Sequence, residues 1–216
     1  MISHDYLKSR HRQERAHFSK YLDIRIHRAL SWLHRAEACV DDPDASFIFL
    51  WIAFNAAYAN EMPAEYSSTE QQRFNEFIKR LLQLDENRRL HDLVWNEFTQ
   101  SIRVLLDNKY VFQPFWDYAN NKLTEQEWIE KFIIARKTAA HALGKGNSST
   151  VLAVVLSRLY TLRNQLVHGG ATWKSSINRE QVRDCNRLIG CLVPAIIEIM
   201  MDNPDELWGQ PCYPVI

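Results

Sequence analysis

Arg163, Asn164 and His168 stand close together in the stretch Leu162-Arg163-Asn164-Gln165-Leu166-Val167-His168-Gly169-Gly170. A guanidinium keeps its charge at neutral pH, and its fork of N–H donors matches the oxygens of a phosphate. An imidazole exchanges protons near pH 7 and can act as general acid or base. A carboxamide can fix the ring or hold a ligand oxygen. On a helix, Asn164 and His168 are four apart and therefore neighbours. Arg163 is five before His168, so at about 100° per residue their Cβ directions diverge by about 140°. The long arginine must bend to share a ligand with the imidazole. A position near a helix C-terminus favours protonated histidine. Two accounts fit these residues: capping of the helix's last carbonyls, or phosphate contact with proton transfer.

The neighbours widen the candidate surface. Tyr160 falls on the same polar side as Arg163, Asn164, Val167 and His168. Trp173 and Lys174 follow the Gly169-Gly170 pair. They could extend that surface through an aromatic stack and a phosphate contact, or form a packed tryptophan beside a solvated lysine. Arg158, five before Arg163, reads as one half of an ordinary ion pair.

An apolar helix from Ser149 or Thr150 to His168 must carry this cluster. Val151, Leu152, Val155, Leu159, Leu162 and Leu166 mark its packed side, and the glycine pair supplies a stop signal. Gly144-Lys145-Gly146 before it lacks the spacing of a nucleotide P-loop and follows no evident strand. Upstream, residues 4–38 read as one long helix or two in sequence, with apolar positions at three- and four-residue spacing. Asp41-Asp42-Pro43-Asp44 is a break, with Asp42 or Asp44 as a cap. Ala45–Asn60 follows, apolar on nearly all sides, and reads as the central core helix. Asn55 inside it needs a partner, either a backbone carbonyl or a residue of a site.

The remaining chain continues the helical pattern. Glu61 to Ser68 reads as a loop, with Ser67-Ser68-Thr69-Glu70 as a helix start before residues 70–84. A second run spans Glu86 to Leu106. Residues 110–122 are an aromatic connector of poor periodicity, which either closes over the core or forms a contact surface. Thr124 and Glu127 make a capping box for a helix to about Leu143. Asn178-Arg179-Glu180-Gln181 opens a last helix, Glu180–Met201, with Pro194 as a kink site. The expected architecture is all-α: a single helical-bundle domain of about six to eight helices over 1–216, with 1–15 and 202–216 peripheral.

Composition narrows the function classes. Lys+Arg 26 against Asp+Glu 26 leaves no net charge, which does not suit a protein that coats nucleic acid indiscriminately. The charge is unevenly spread: residues 1–35 are basic, whereas the tail after Pro194 carries Glu198, Asp202, Asp205 and Glu206 with no Lys or Arg. The two ends could meet within or between chains. Cys39, Cys185, Cys191 and Cys212 form no CxxC pair, and Cys185 and Cys191 read as buried thiols. No HExxH or close Cys/His set exists. His27, His34 and Glu37 share a face but read better as solvated or packing groups than as metal ligands. The longest apolar stretch, Phe47 to Tyr58, is too short to span a bilayer. These features predict a cytoplasmic protein with free thiols, no metal, no cofactor and no membrane.

Arg163-Asn164-Gln165-Leu166-Val167-His168 resembles the Arg-x4-6-His motif of the HEPN domain family, including the polar residue that often follows the arginine. The apolar helix Phe47–Tyr58 well before the motif, and the order of long helices with the motif late, are also similar to that family. The resemblance implies an HEPN-like helical domain, frequently a homodimer with two motif copies in one cleft. It implies a metal-independent endoribonuclease in which a ribose 2′-hydroxyl attacks the adjacent phosphate. Arg163 would bind or polarise that phosphate, His168 would transfer protons or stabilise the transition state, and Asn164 would position one of them. Members of this kind serve as toxins or antiviral effectors, some restrained by an antitoxin or regulatory protein. Others are noncatalytic modules that bind RNA, a nucleotide or a partner protein.

Overall fold

The computed structural model describes residues 2–59, 70–176 and 179–213. The loop expected at 61–68, the start signal Ser67-Ser68-Thr69 and the cap at Asn178 lie outside these. Among the described residues there are ten α-helices and no strand, so the chain is all-α. The helices are α1 (His4–Glu14), α2 (Lys20–Glu37), α3 (Pro43–Tyr58), α4 (Glu70–Leu84), α5 (Arg89–Asp92), α6 (Thr99–Asp107), α7 (Gln113–Ala119), α8 (Glu125–Gly144), α9 (Ser148–Val167) and α10 (Arg179–Asp202). The count exceeds six to eight because the Glu86–Leu106 run divides into two helices and the connector at 110–122 carries a short one.

α3 forms for reasons visible in its residues. Asp42 caps it, its side chain accepting from Ala45 N at 3.1 Å, and Pro43 occupies the first turn. Phe47, Leu50, Trp51, Ala53, Phe54 and Ala57 are all buried. An apolar surface on all sides needs neighbours on all sides, and α2, α10 and α9 supply them. Asn55 lies on this helix with its Oδ1 buried without a donor among the described residues.

The two ends of the chain close on each other within one molecule. Arg10 bonds Glu14 at 2.7 Å and Asp202 at 2.7 Å. Arg89 reaches Glu198 at 2.6 Å and Asp202 at 2.8 Å, and Tyr6 donates its hydroxyl to Glu198 at 3.0 Å. The Tyr6 bond to Glu198 and the charge of that carboxylate raise the Tyr6 phenol above its ordinary pKa. Arg25 is fully buried and donates to the carbonyls of Ala57, Ala59, Gly209 and Gln210. Burial lowers its pKa to about 10, still far above neutrality. Arg28 holds the carbonyls of Cys212 at 2.8 Å and Tyr213 at 2.6 Å. The tail is thus strapped over the end of α3.

Two segments differ from their sequence pattern. The Glu86–Leu106 run is not one helix: a π turn over Leu93–Glu97 separates α5 from α6. Thr99 Oγ1 donates to the carbonyls of Val94 at 3.0 Å and Trp95 at 2.7 Å, which offers those groups an alternative to the regular ladder. The aromatic connector folds into a 3₁₀ turn and α7, and its rings pack on α8: Phe115 lies 5.2 Å from Trp128 and Phe112 lies 5.3 Å from Phe132 between ring centroids. The Thr124–Glu127 capping box starts α8. α10 runs unbroken through Pro194.

Candidate functional site

α9 places Tyr160, Arg163 and Asn164 together. Its start is capped by Asn147, whose side chain accepts from Thr150 N at 3.0 Å. Val151, Leu152, Val155, Leu159 and Leu162 bury one side. On the polar side Arg163 Nη1 donates to Asn164 Oδ1 at 2.9 Å. The guanidinium carbon stands 6.0 Å from the Tyr160 ring centre. Tyr160 is itself wedged against the core, 5.9 Å from Trp51 and 6.0 Å from Phe74. Arg163 Nε is buried without an acceptor, and among the described residues no carboxylate pairs with the guanidinium. Its charge is therefore locally uncompensated.

His168 stands apart from this group. It is the C-cap of α9, exposed, with φ −90 and ψ 11. Gly169 follows at φ +71, where a glycine avoids the strain of a Cβ. Gly169 N bonds Leu166 O at 3.4 Å and Gly170 N bonds Gln165 O at 2.7 Å. These are the paired bonds of a Schellman stop. A Cβ on Gly170 would meet Gln165 O at 3.2 Å. Glycines thus satisfy the last carbonyls, and the His168 side chain is not needed to cap them. Among the described residues the imidazole has no hydrogen-bond partner. Asn164, the helical neighbour of His168, turns instead to Arg163.

Trp173 and Lys174 lie on a loop tied to the start of α3. Trp173 Nε1 donates to Asp42 Oδ2 at 2.8 Å, while the ring itself is 68% exposed. Lys174 N donates to Asp44 Oδ2 at 3.3 Å, and Arg179 pairs with the same oxygen at 2.7 Å. Lys174 Nζ stands 4.7 Å from the Trp173 ring centre. Burial alone would raise the Asp42 carboxyl, but bonds from Ala45 N and Trp173 and the Lys174 charge hold it below its ordinary value.

The reading of Arg158 as an ion-pair member is corrected. It is 2% exposed and no carboxylate pairs with it among the described residues. Its guanidinium carbon lies 4.2 Å from the Phe112 ring centre and 5.7 Å from that of Phe132. Burial lowers its pKa to about 10. The aromatic pattern of 110–118 was the available signal, but sequence distance hid which cation those rings cover.

The other candidates find structural partners. His4 stacks on His34 at 4.6 Å and its backbone N–H donates to Glu37 at 2.8 Å. His27 faces Lys8 Nζ at 3.5 Å. Among the described residues no group of three His, Cys, Asp or Glu is placed to hold a metal, and no helix is long and apolar enough to cross a membrane. Cys185 and Cys191 are buried, and burial raises both thiols above their ordinary value. Comparison with protein-family models, with curated proteins and with solved structures returned no match.

Proposed function

We propose that the chain is a metal-independent endoribonuclease. The observation that supports this most is the uncompensated Arg163 guanidinium, bonded to Asn164, on the helix whose end presents an exposed, unpartnered His168. A cation without an acid is suited to a phosphate. A histidine free of capping duty is available for proton transfer.

The proposed step is internal transesterification. The ribose 2′-oxygen forms a bond to the adjacent phosphorus, and the bond from phosphorus to the 5′-oxygen breaks. The 2′-hydroxyl proton leaves to a base, and the departing 5′-oxygen takes a proton from an acid. A 2′,3′-cyclic phosphate and a 5′-hydroxyl result. Arg163 stabilises charge on the phosphate oxygens, Asn164 positions Arg163, and His168 moves a proton. Tyr160 walls the arginine, and Trp173 and Lys174 extend the RNA surface.

His168 and Arg163 diverge on one helix, so the proposal places two chains in an isologous homodimer, where each motif completes the other. Its setting is cytoplasmic, as a toxin or antiviral-defence effector under the control of an antitoxin or regulatory protein. A second reading, a noncatalytic module binding RNA, a nucleotide or a partner protein, is favoured by the lack, among the described residues, of any group that orients the His168 ring.

The deciding experiment is cleavage of mixed RNA in excess chelator by wild type, His168→Ala and Arg163→Ala. The ribonuclease reading expects cleavage by wild type only, with dimer and helical content unchanged in the variants. RNA binding that depends on Arg163 without turnover selects the second reading, and equal cleavage by His168→Ala sinks the first.

A further inference from the structure

A cavity of about 390 Å³ opens between α4, α8 and α9, lined by residues that Arg163 and His168 do not use. Lys79 and Arg158 bring two positive charges to it, and among the described residues no carboxylate lines it. Ser149, Thr150 and Ser157 add hydroxyls along one stripe of α9. Phe112, Ala153 and Val154 supply an apolar wall.

Among the described residues, two buried polar groups in this wall lack partners. Arg158 is 98% shielded from solvent (2% exposed), its Nε has no acceptor, and none of its other nitrogens donates to any described residue. A desolvated guanidinium with no anion is costly to keep unless something compensates it. The Phe112 and Phe132 rings offset part of that cost through their faces but leave the hydrogen-bonding edge unused. Asn75, one turn before Lys79 on α4, has an Oδ1 that is buried without a donor. A ligand that satisfied both groups would accept hydrogen bonds at one end and donate one at the other.

We propose that this cavity binds a small phosphate monoester that also carries a hydroxyl group. Two cations match the dianionic charge of the monoester, and the hydroxyls of Ser149, Thr150 and Ser157 can donate to its remaining oxygens. The first turn of α9, which holds Ser149 and Thr150, adds the positive end of a 20-residue helix. Asn75 takes the ligand hydroxyl. Arg158 and Arg163 lie five residues apart on α9, so their directions diverge by about 140°. The ligand and the motif thus address different sides of one helix.

Titration calorimetry on the intact protein tests this, with ribose 5-phosphate, inorganic phosphate and ribose at matched ionic strength. Saturable binding of ribose 5-phosphate is expected, with weaker inorganic phosphate and no response to ribose. Lys79 is exposed, so Lys79→Ala should leave the fold intact and weaken binding about tenfold, the equivalent of one charge-assisted bond. Arg158→Met keeps the packed volume, removes the buried charge and should weaken binding further. No binding of ribose 5-phosphate by wild type, affinity unchanged in both variants, or ribose binding as well as its phosphate would overturn the proposal.

Discussion

Arg163 Nη1 donates to Asn164 Oδ1 at 2.9 Å, so the carboxamide next to the arginine in sequence holds that arginine and not the histidine one turn away. Asn164 is accordingly a positioning residue under the proposed reaction. Asn164→Ala should lower kcat on RNA about tenfold, one hydrogen bond's equivalent, with little change in KM. Asn164→Gln should restore less than half of the loss, because its longer arm misplaces the oxygen. Single-turnover kinetics separate the two constants. An unchanged kcat in Asn164→Ala removes Asn164 from the machinery.

Gly169 should be the most sensitive single position of the stop that presents His168. Its φ of +71 is strained for any side chain, although open space surrounds the Cβ position. Gly169→Ala should destabilise the protein by about 1 kcal/mol, read by urea titration. Gly169→Asn should cost less, since asparagine tolerates the left-handed region.

Arg25 should be far less replaceable than a surface arginine. Arg25→Met removes the donor for four carbonyls, two at the end of α3 and two in the tail. A loss of about 3–5 kcal/mol is expected, with new proteolytic cleavage near 209–213. A midpoint within error of wild type would refute the strap.

His11 predicts a pH dependence. It is buried, its Nε2 lies 2.8 Å from Asp23, and burial outweighs that carboxylate to lower its pKa below 6.5. The unfolded chain then takes up the proton more readily than the folded one. Stability from this group is present above pH 6.5 and is lost as pH falls through the folded value. Urea midpoints between pH 7 and 5 should fall in wild type and fall less in His11→Gln. Equal slopes would exclude His11 as the source. Asp42 loses its contribution in a separate window, below its ordinary value of 3.8.

Much of the fold was legible because its signals are local. Asp42 with Pro43, Thr124 with Glu127, and Gly169 with Gly170 each specify a helix end within a few residues, and each does so in the structure. The unbroken apolar surface of α3 likewise dictated a central position. The signals that failed are long-range. Phe112 and Phe132 cover Arg158 from more than 20 residues away, so the spacing along α9 suggested an ion pair instead. Asn164 has two acceptable neighbours, and helix geometry alone favoured His168, whereas the flexible Arg163 side chain folded back to claim it. Thr99 broke the Glu86–Leu106 run through a side-chain bond that periodicity does not register.

Arg25 also constrains when the molecule can form during its synthesis. The helix pair α2 and α3 leaves the ribosome early, but its buried guanidinium takes two of its acceptors from residues 209 and 210. α10, the other wall of α3, is equally late. Until that late segment emerges, the most apolar helix in the chain is uncovered beside an arginine lacking half of these carbonyls. Burial of α3 in the growing chain is therefore completed only once α10 and the strap have emerged.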